Sequence, residues 1–131
     1  MTVAALPTLI AEARAAGQVI TLHQTIDADR LAMLDEQVQR TIFRTIQEGL
    51  TNARKHTPGA IVDIELGGSA ESGVSVMISN PLPVGTTRAE IPGAGVGLTG
   101  WAERVRLDGG RLSRDVADGR FVLTARLPWR D

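Results

Sequence analysis

The alternation of apolar and polar positions divides the chain into short regular pieces joined by glycine- and proline-rich breaks. Leu6, Leu9, Ile10 and Ala13 recur at helical spacing, which predicts an amphipathic helix over 6–16 closed by Gly17. Val19 to Leu22 predicts a strand, and Asp27-Ala28-Asp29 a turn. The strongest helical signal runs from about Asp35 to His56. It stops at Thr57-Pro58-Gly59, because proline has no N–H to donate and disfavours helix in the residue before it. Ala60 to Leu66 and Gly73 to Ser79 read as strands joined by a hairpin connection over 67–72. The stretch from Asn80 to Val96 is too rich in proline and glycine for regular structure. Thr99 to Leu107 then predicts a helix stopped by Asp108-Gly109-Gly110. Arg111 to Val116 and Arg120 to Leu127 predict a closing hairpin around Asp118-Gly119.

Beyond its first strand, the chain reads helix, strand, strand, long loop, helix, strand, strand. A doubly wound parallel sheet needs strands alternating with helices. The order therefore predicts an α/β (α+β) sandwich, with a mixed, mostly antiparallel sheet and helices on one face. With 131 residues, 43% of them hydrophobic, the chain is long enough for one compact core without staples. It has no cysteine, which excludes disulfides, thiolate nucleophiles and Cys-built metal sites. The net charge of −1 gives no general attraction to nucleic acid or anionic lipid, so an anionic ligand must be held by local groups. No stretch approaches the roughly 18 apolar residues of a membrane span, and the N-terminus lacks the pattern of a signal peptide. A cytoplasmic fragment is expected, compatible with a membrane-anchored parent.

On a helical wheel Val38, Ile42, Ile46, Gly49, Leu50 and Ala53 share one apolar face of the long helix. Thr41, Arg44, Glu48, Asn52 and Lys55 form a stripe on the other side. The stripe has two readings. One is a solvated face supported by i, i+4 charge pairs. The other is a site: the Asn52 amide oxygen suits Mg²⁺, Glu48 can polarise an attacking group, and Lys55 offers a charge to phosphate.

The second candidate is Gly93-Ala94-Gly95-Val96-Gly97-Leu98-Thr99-Gly100, placed before a predicted helix. Glycines let backbone approach a ligand closely, and a helix N-terminus presents unpaired N–H groups that favour phosphate. The loop does not follow a strand in a βαβ unit and lacks Gly-Lys-Ser/Thr, so it fits neither a dinucleotide fingerprint nor a P-loop. A plain glycine-rich helix entry is the other reading.

Taken together the segments resemble a known family. Ile46 to His56 is similar to the N box of histidine-kinase ATPase domains in the nitrate-sensor and membrane-fluidity-sensor branch, which runs Gln-Glu-Ala-Leu-Thr-Asn-Ala, one more residue, then Lys-His. Gly95 to Val105 is similar to that branch's second glycine box, and Gly109 to Leu112 with Gly119 to Pro128 resembles its terminal hairpin. Two such motifs in order, about 40 residues apart, are far more specific than either alone. The resemblance implies the Bergerat ATP-binding fold and phosphoryl transfer from ATP to a histidine on a separate helical dimerisation domain. It implies Mg²⁺ on Asn52, a catalytic carboxylate at Glu48, and Lys55 and His56 near the phosphates. It also implies nucleotide-binding backbone at Gly93, Gly95, Val96, Gly97 and Leu98, and places Asn80 at the adenine.

On the same grounds residues 1–18 are expected to connect to that histidine-bearing domain, and 19–131 to form the ATP-binding domain. A response regulator is expected as an indirect partner. Neither nucleic acid nor membrane is expected to touch this fragment, which is expected to be a monomer. Two alternatives share the pattern: an anti-sigma-factor-type serine kinase, and a degenerate nucleotide-binding or docking module. The second is motivated by a departure in the first glycine box. Asn80 stands where the family has aspartate, in Ser79-Asn80-Pro81, and the glycines that follow are gone. A neutral acceptor bonds about half as strongly as an ionised one, so reduced affinity or relaxed base selectivity is expected. The segment over 81–92 takes the place of the ATP lid and is short.

Overall fold

A computed structural model describes residues 1–85 and 96–131, the side chains of 96–99 apart. A single turn of 3-10 helix, Val3–Ala5, leads into α1 (Leu6–Ala15). Then follow β1 (Ile20–Gln24), α2 (Ala28–Ala32), α3 (Glu36–His56), β2 (Val62–Ser69), β3 (Gly73–Pro81), α4 (Val96–Leu107), β4 (Arg111–Ala117) and β5 (Arg120–Leu127). The strands form one sheet in the order β1-β2-β3-β5-β4. β1 runs parallel to β2, and the other three pairings are antiparallel. The parallel pair is reached by a crossover through α2 and α3, the connection that parallel neighbours require. The mixed, mostly antiparallel sheet expected from the order of elements is the one observed.

Strict alternation in β2, β3 and β5 sends Val62, Ile64, Leu66, Val74, Val76, Ile78, Phe121, Leu123, Ala125 and Leu127 to the buried face. The helices cover that face. The opposite face carries a mixed row running Glu65, Met77, Thr124, Ser113 across four strands, and Arg120 reaches Asp63 and Ser79 there at 2.7 and 3.1 Å.

α3 is the central element. Asp35 caps it by accepting from the Gln37 N–H, and Arg54, Lys55 and His56 fill its last turn, where cations complement the helix dipole. Val38, Ile42, Ile46, Gly49, Leu50 and Ala53 are all buried, as the wheel requires. Phe43 and Thr45 are buried too, because Val3, Leu6, Ile10 and Ala13 join the same core from the N-terminal segment. Gly49 permits the closest approach to the sheet: a Cβ there would run into the Ile78 side chain on β3. Its value lies in that contact, and it offsets the roughly 1 kcal/mol of helix propensity that glycine forfeits against alanine.

Several boundaries differ from the sequence expectation for local reasons; β3 runs on through Asn80 and Pro81, expected as irregular, because they stay paired with Phe121 and Arg120 of β5. The expected hairpin connection over 67–72 shrinks to three residues, since Gly67 and Gly68 stay in β2 opposite Ser75 and Val74. Gly68 has φ +131°, and a Cβ there would strike the Gly73 carbonyl, so these glycines serve a tight strand pair rather than a loop. The expected turn at Asp27-Ala28-Asp29 is instead the start of α2, with the Asp27 side chain accepting from the Asp29 N–H. The helix expected from Thr99 begins at Val96. The terminal hairpin turns as expected on Asp118 and Gly119, both with positive φ, the pairing of a type I′ turn.

Gly49→Val is expected to lower unfolding free energy by about 1–3 kcal/mol, the usual cost of overpacking a tight contact. Urea denaturation measures it, and Ile78→Ala in the same chain should recover part of the loss. An unchanged midpoint would mean that α3 does not sit on Ile78.

Candidate functional site

The polar stripe of α3 rises from the N-terminal end of the helix toward its C-terminus, and its members sit in different settings. Thr41 is buried and spends its hydroxyl on the Gln37 carbonyl at 3.0 Å. Arg44 is exposed, Glu48 and Asn52 are half-buried, and Lys55 and His56 are exposed. At about 1.5 Å of rise per residue, Glu48 and Asn52 are about 6 Å apart along the axis, and Asn52 and Thr57 about 7.5 Å.

Glu48 pairs with Arg44 one turn earlier, at 3.3 Å. The Arg44 guanidinium also lies 6.0 Å from the centre of the Trp101 ring on α4. Arg44 therefore bridges the two helices that flank the stripe and keeps a positive charge beside the Glu48 carboxylate. The Trp101 indole N–H is buried without an acceptor among the described residues. A cavity of about 760 Å³ opens here, lined by Arg40, Thr41, Arg44, Gln47 and Glu48 from α3 and by Gly100, Trp101 and Arg104 from α4. It reaches Glu48 and stops short of Asn52 and Asn80, which lie nearer the C-terminal end of α3.

Asn52 is the most informative member of the stripe. Its amide nitrogen is buried and finds no acceptor among the described residues. A buried polar group left unpaired costs about 1–3 kcal/mol, and this one is a donor, so a ligand that met it would bring an acceptor such as a phosphate oxygen. One amide and one carboxylate on successive turns make a small oxygen donor set. That set suits a hard cation which keeps its waters and shares phosphate oxygens, as Mg²⁺ does.

Asn80 stands at the C-terminal end of β3, buried, across from the last turn of α3. Its amide nitrogen donates to Thr57 Oγ1 at 3.0 Å and to the Pro81 carbonyl at 3.1 Å. The Thr57 hydroxyl in turn donates to the Ala53 carbonyl at 3.0 Å. Asn80 and Asn52 are thus tied to the same helical turn. The sequence named Thr57 only as a helix stop and gave Trp101 no role. Their contributions come from contacts across α3, which spacing along one chain does not reveal.

Of the glycine motif, Gly93 and Gly95 lie outside the described residues, as does most of the expected lid segment. Val96, Gly97 and Leu98 fall in the first turn of α4, whose leading N–H groups have no intrahelical acceptor. His23 lies on β1, exposed, beside Glu65 of β2 and away from the stripe. The Arg106 guanidinium is held above its ordinary range by its hydrogen bond to Glu103, then by that carboxylate's charge; this exposed pair is outside the cavity lining.

Replacing Arg44 by alanine should cost less than about 1 kcal/mol, since exposed ion pairs and cation–π contacts are each worth about that or less. Chemical denaturation measures the change. A loss above 2 kcal/mol would make Arg44 part of the core instead of a charge held at the site.

No family model matches the chain. Among curated proteins it is 30% identical over 114 residues to the oxygen sensor histidine kinase NreB of Staphylococcus carnosus. The match takes in 86% of this chain and 31% of the relative, so the chain spans about a third of that protein's length. Solved structures share the fold. The blue-light activated histidine kinase EL346 of Erythrobacter litoralis superposes with a TM-score of 0.67 at 15% identity, covering 98% of this chain and 46% of that one. The histidine kinase AdeS of Acinetobacter baumannii gives 0.64 at 13%, covering 96% and 66%. The mycobacterial sensor histidine kinase MprB gives 0.60 at 20%, covering 95% and 93%. With the five-stranded sheet, the order of the two motifs and this identity in hand, the chain has the fold of sensor histidine kinase catalytic domains and is similar in sequence to about a third of one sensor histidine kinase.

Proposed function

We propose that the chain binds Mg·ATP along the C-terminal half of α3 and transfers the γ-phosphoryl group to a histidine carried by a separate helical domain. The observation that carries this reading is the buried amide of Asn52, whose unpaired N–H suits a phosphate oxygen and whose oxygen suits Mg²⁺, set one turn from Glu48 on the helix whose end also anchors Asn80. Glu48, Asn52 and Thr57 span about 13 Å of helix axis, the length scale of a nucleoside triphosphate laid along it. The purine lies at Asn80, the phosphates run toward Asn52 and Glu48, and the first-turn N–H groups of α4 meet phosphate oxygens. Lys55 adds positive charge at this end of α3, with His56 next to it in the chain.

In the transfer the imidazole nitrogen of the acceptor histidine attacks the γ-phosphorus. The bond from that phosphorus to the β,γ-bridging oxygen breaks, and ADP leaves with the electron pair. Glu48 accepts the imidazole proton, and Arg44 holds its carboxylate in place until then. Mg²⁺, when bound at the Asn52 amide oxygen, supplies charge neutralisation between the phosphates. Residues 1–18 serve as the connector from the histidine-bearing domain, and 19–131 as the ATP-binding unit. No helix among the described residues is long and apolar enough to cross a membrane. We place the reaction in the cytoplasm, where ATP is available and a response regulator takes the phosphoryl group onward.

Calorimetry of Mg·ATP binding, native against Asn52→Ala, tests the site. The expected result is at least a tenfold weaker Kd, with binding no longer responding to Mg²⁺. Equal binding in the two chains would contradict it. With a supplied helical domain, Glu48→Gln is expected to lower the phosphotransfer rate by about 10²–10⁴-fold with little change in Kd. An unaffected rate would remove Glu48 from the chemistry.

A further inference from the structure

We infer that Thr57 locks the amide of Asn80 in one orientation and so makes this position select a purine bearing an exocyclic amine over one bearing a carbonyl; the inference rests on the nucleotide-site reading above. Both residues are buried, Asn80 at 4% and Thr57 at 6% exposure. Which end of an asparagine amide is nitrogen follows from its neighbours, and here they leave one answer.

The Pro81 carbonyl can only accept a hydrogen bond. Thr57 has one hydroxyl hydrogen and gives it to the Ala53 carbonyl, so it too meets the amide as an acceptor. Two acceptors at 3.0 and 3.1 Å use both hydrogens of the amide NH₂. Turning the amide over would set its oxygen against both and lose two buried hydrogen bonds. The oxygen is thereby left as the group that a ligand reaching this position would meet, and no described residue donates to it.

An acceptor held in this way bonds an amino group. It meets a carbonyl oxygen with repulsion and with no compensating donor. The same geometry accounts for the residue found here. An aspartate at 80 would press a carboxylate oxygen against the Pro81 carbonyl, and Thr57 would have to release Ala53 to donate to it. Asn80 and Thr57 are therefore matched, with Thr57 as a positioning residue that touches no ligand. Of the two consequences expected from losing the aspartate, this geometry favours weaker affinity with base selectivity kept.

The test measures Mg·ATP and Mg·GTP binding to the native chain, Thr57→Val and Thr57→Ser. The native chain should prefer ATP by at least about tenfold. Thr57→Val keeps the volume but removes the acceptor, so the amide gains freedom to turn. The ATP:GTP ratio should then fall by about tenfold, chiefly through tighter GTP binding, and Thr57→Ser should restore it. A merely structural loss would weaken both nucleotides together and leave the ratio alone. An unchanged ratio in Thr57→Val overturns the lock while ATP binding itself keeps the site reading intact. A native chain that binds neither nucleotide overturns both. Should Thr57→Val not fold, the native chain is titrated with the triphosphate of purine riboside, which lacks the 6-amino group. About tenfold weaker binding than ATP is expected, and equal binding overturns the inference.

Discussion

The packing of α3 on the sheet is the constraint on which the rest depends. Ile42 and Ile46 are fully buried, and Gly49 brings the helix axis close enough for Ile78 to fill the space a side chain would take. A helix seated that tightly has its rotation about its own axis fixed. Once the apolar face is down, Glu48 and Asn52 have one place to go: the half-buried margin of the helix, beside α4 and the end of β3. The chemistry at that margin needs positional precision, and the core supplies it.

The sheet-side packing also explains why the polar groups near the C-terminal end of α3 divide into two kinds. The Thr57 hydroxyl and the Asn80 NH₂ are satisfied by one another and by the Ala53 and Pro81 carbonyls, with the Asn80 oxygen left over. Asn52, one residue before Ala53, is left with a buried donor unmet. The proposed nucleotide site gives that donor its partner. The mixed setting of the stripe follows: the salt bridge at Glu48 is shallow and cheap to break, whereas the Asn80 network is deep and costly to rearrange. Groups that change partners during a reaction belong in the first setting, and groups that read a ligand's identity belong in the second.

Much of this was legible in the chain itself. The apolar period of α3 identified its buried face, and Pro58-Gly59 marked its end. The order of elements led to a mixed sheet covered on one side. The stripe over Glu48, Asn52 and Lys55 could be listed by spacing, but spacing alone does not separate a site from a solvated face. Burial adds what spacing lacks, since only the three-dimensional arrangement shows the unpaired amide on which the proposal rests. The glycines at 67 and 68 misled for a physical reason: close backbone approach within a strand pair and a loose turn use the same residue. Aspartate misled at 27, where a cap and a turn use the same side-chain bond. The pairing of Asn80 with Thr57 joins residues 23 apart through the end of the central strand and a helix end, which no local pattern encodes.

The central claim is that one rigid helix end aligns two asparagine amides, Asn52 for the phosphates and Asn80 for the base. The most direct measurement follows the side-chain NH₂ resonances of Asn52 and Asn80 by two-dimensional NMR while Mg·ADP is added to the native chain. The account predicts that both pairs of signals shift along one binding curve with a common Kd. Signals that stay in place while nucleotide binds elsewhere on the chain would contradict it.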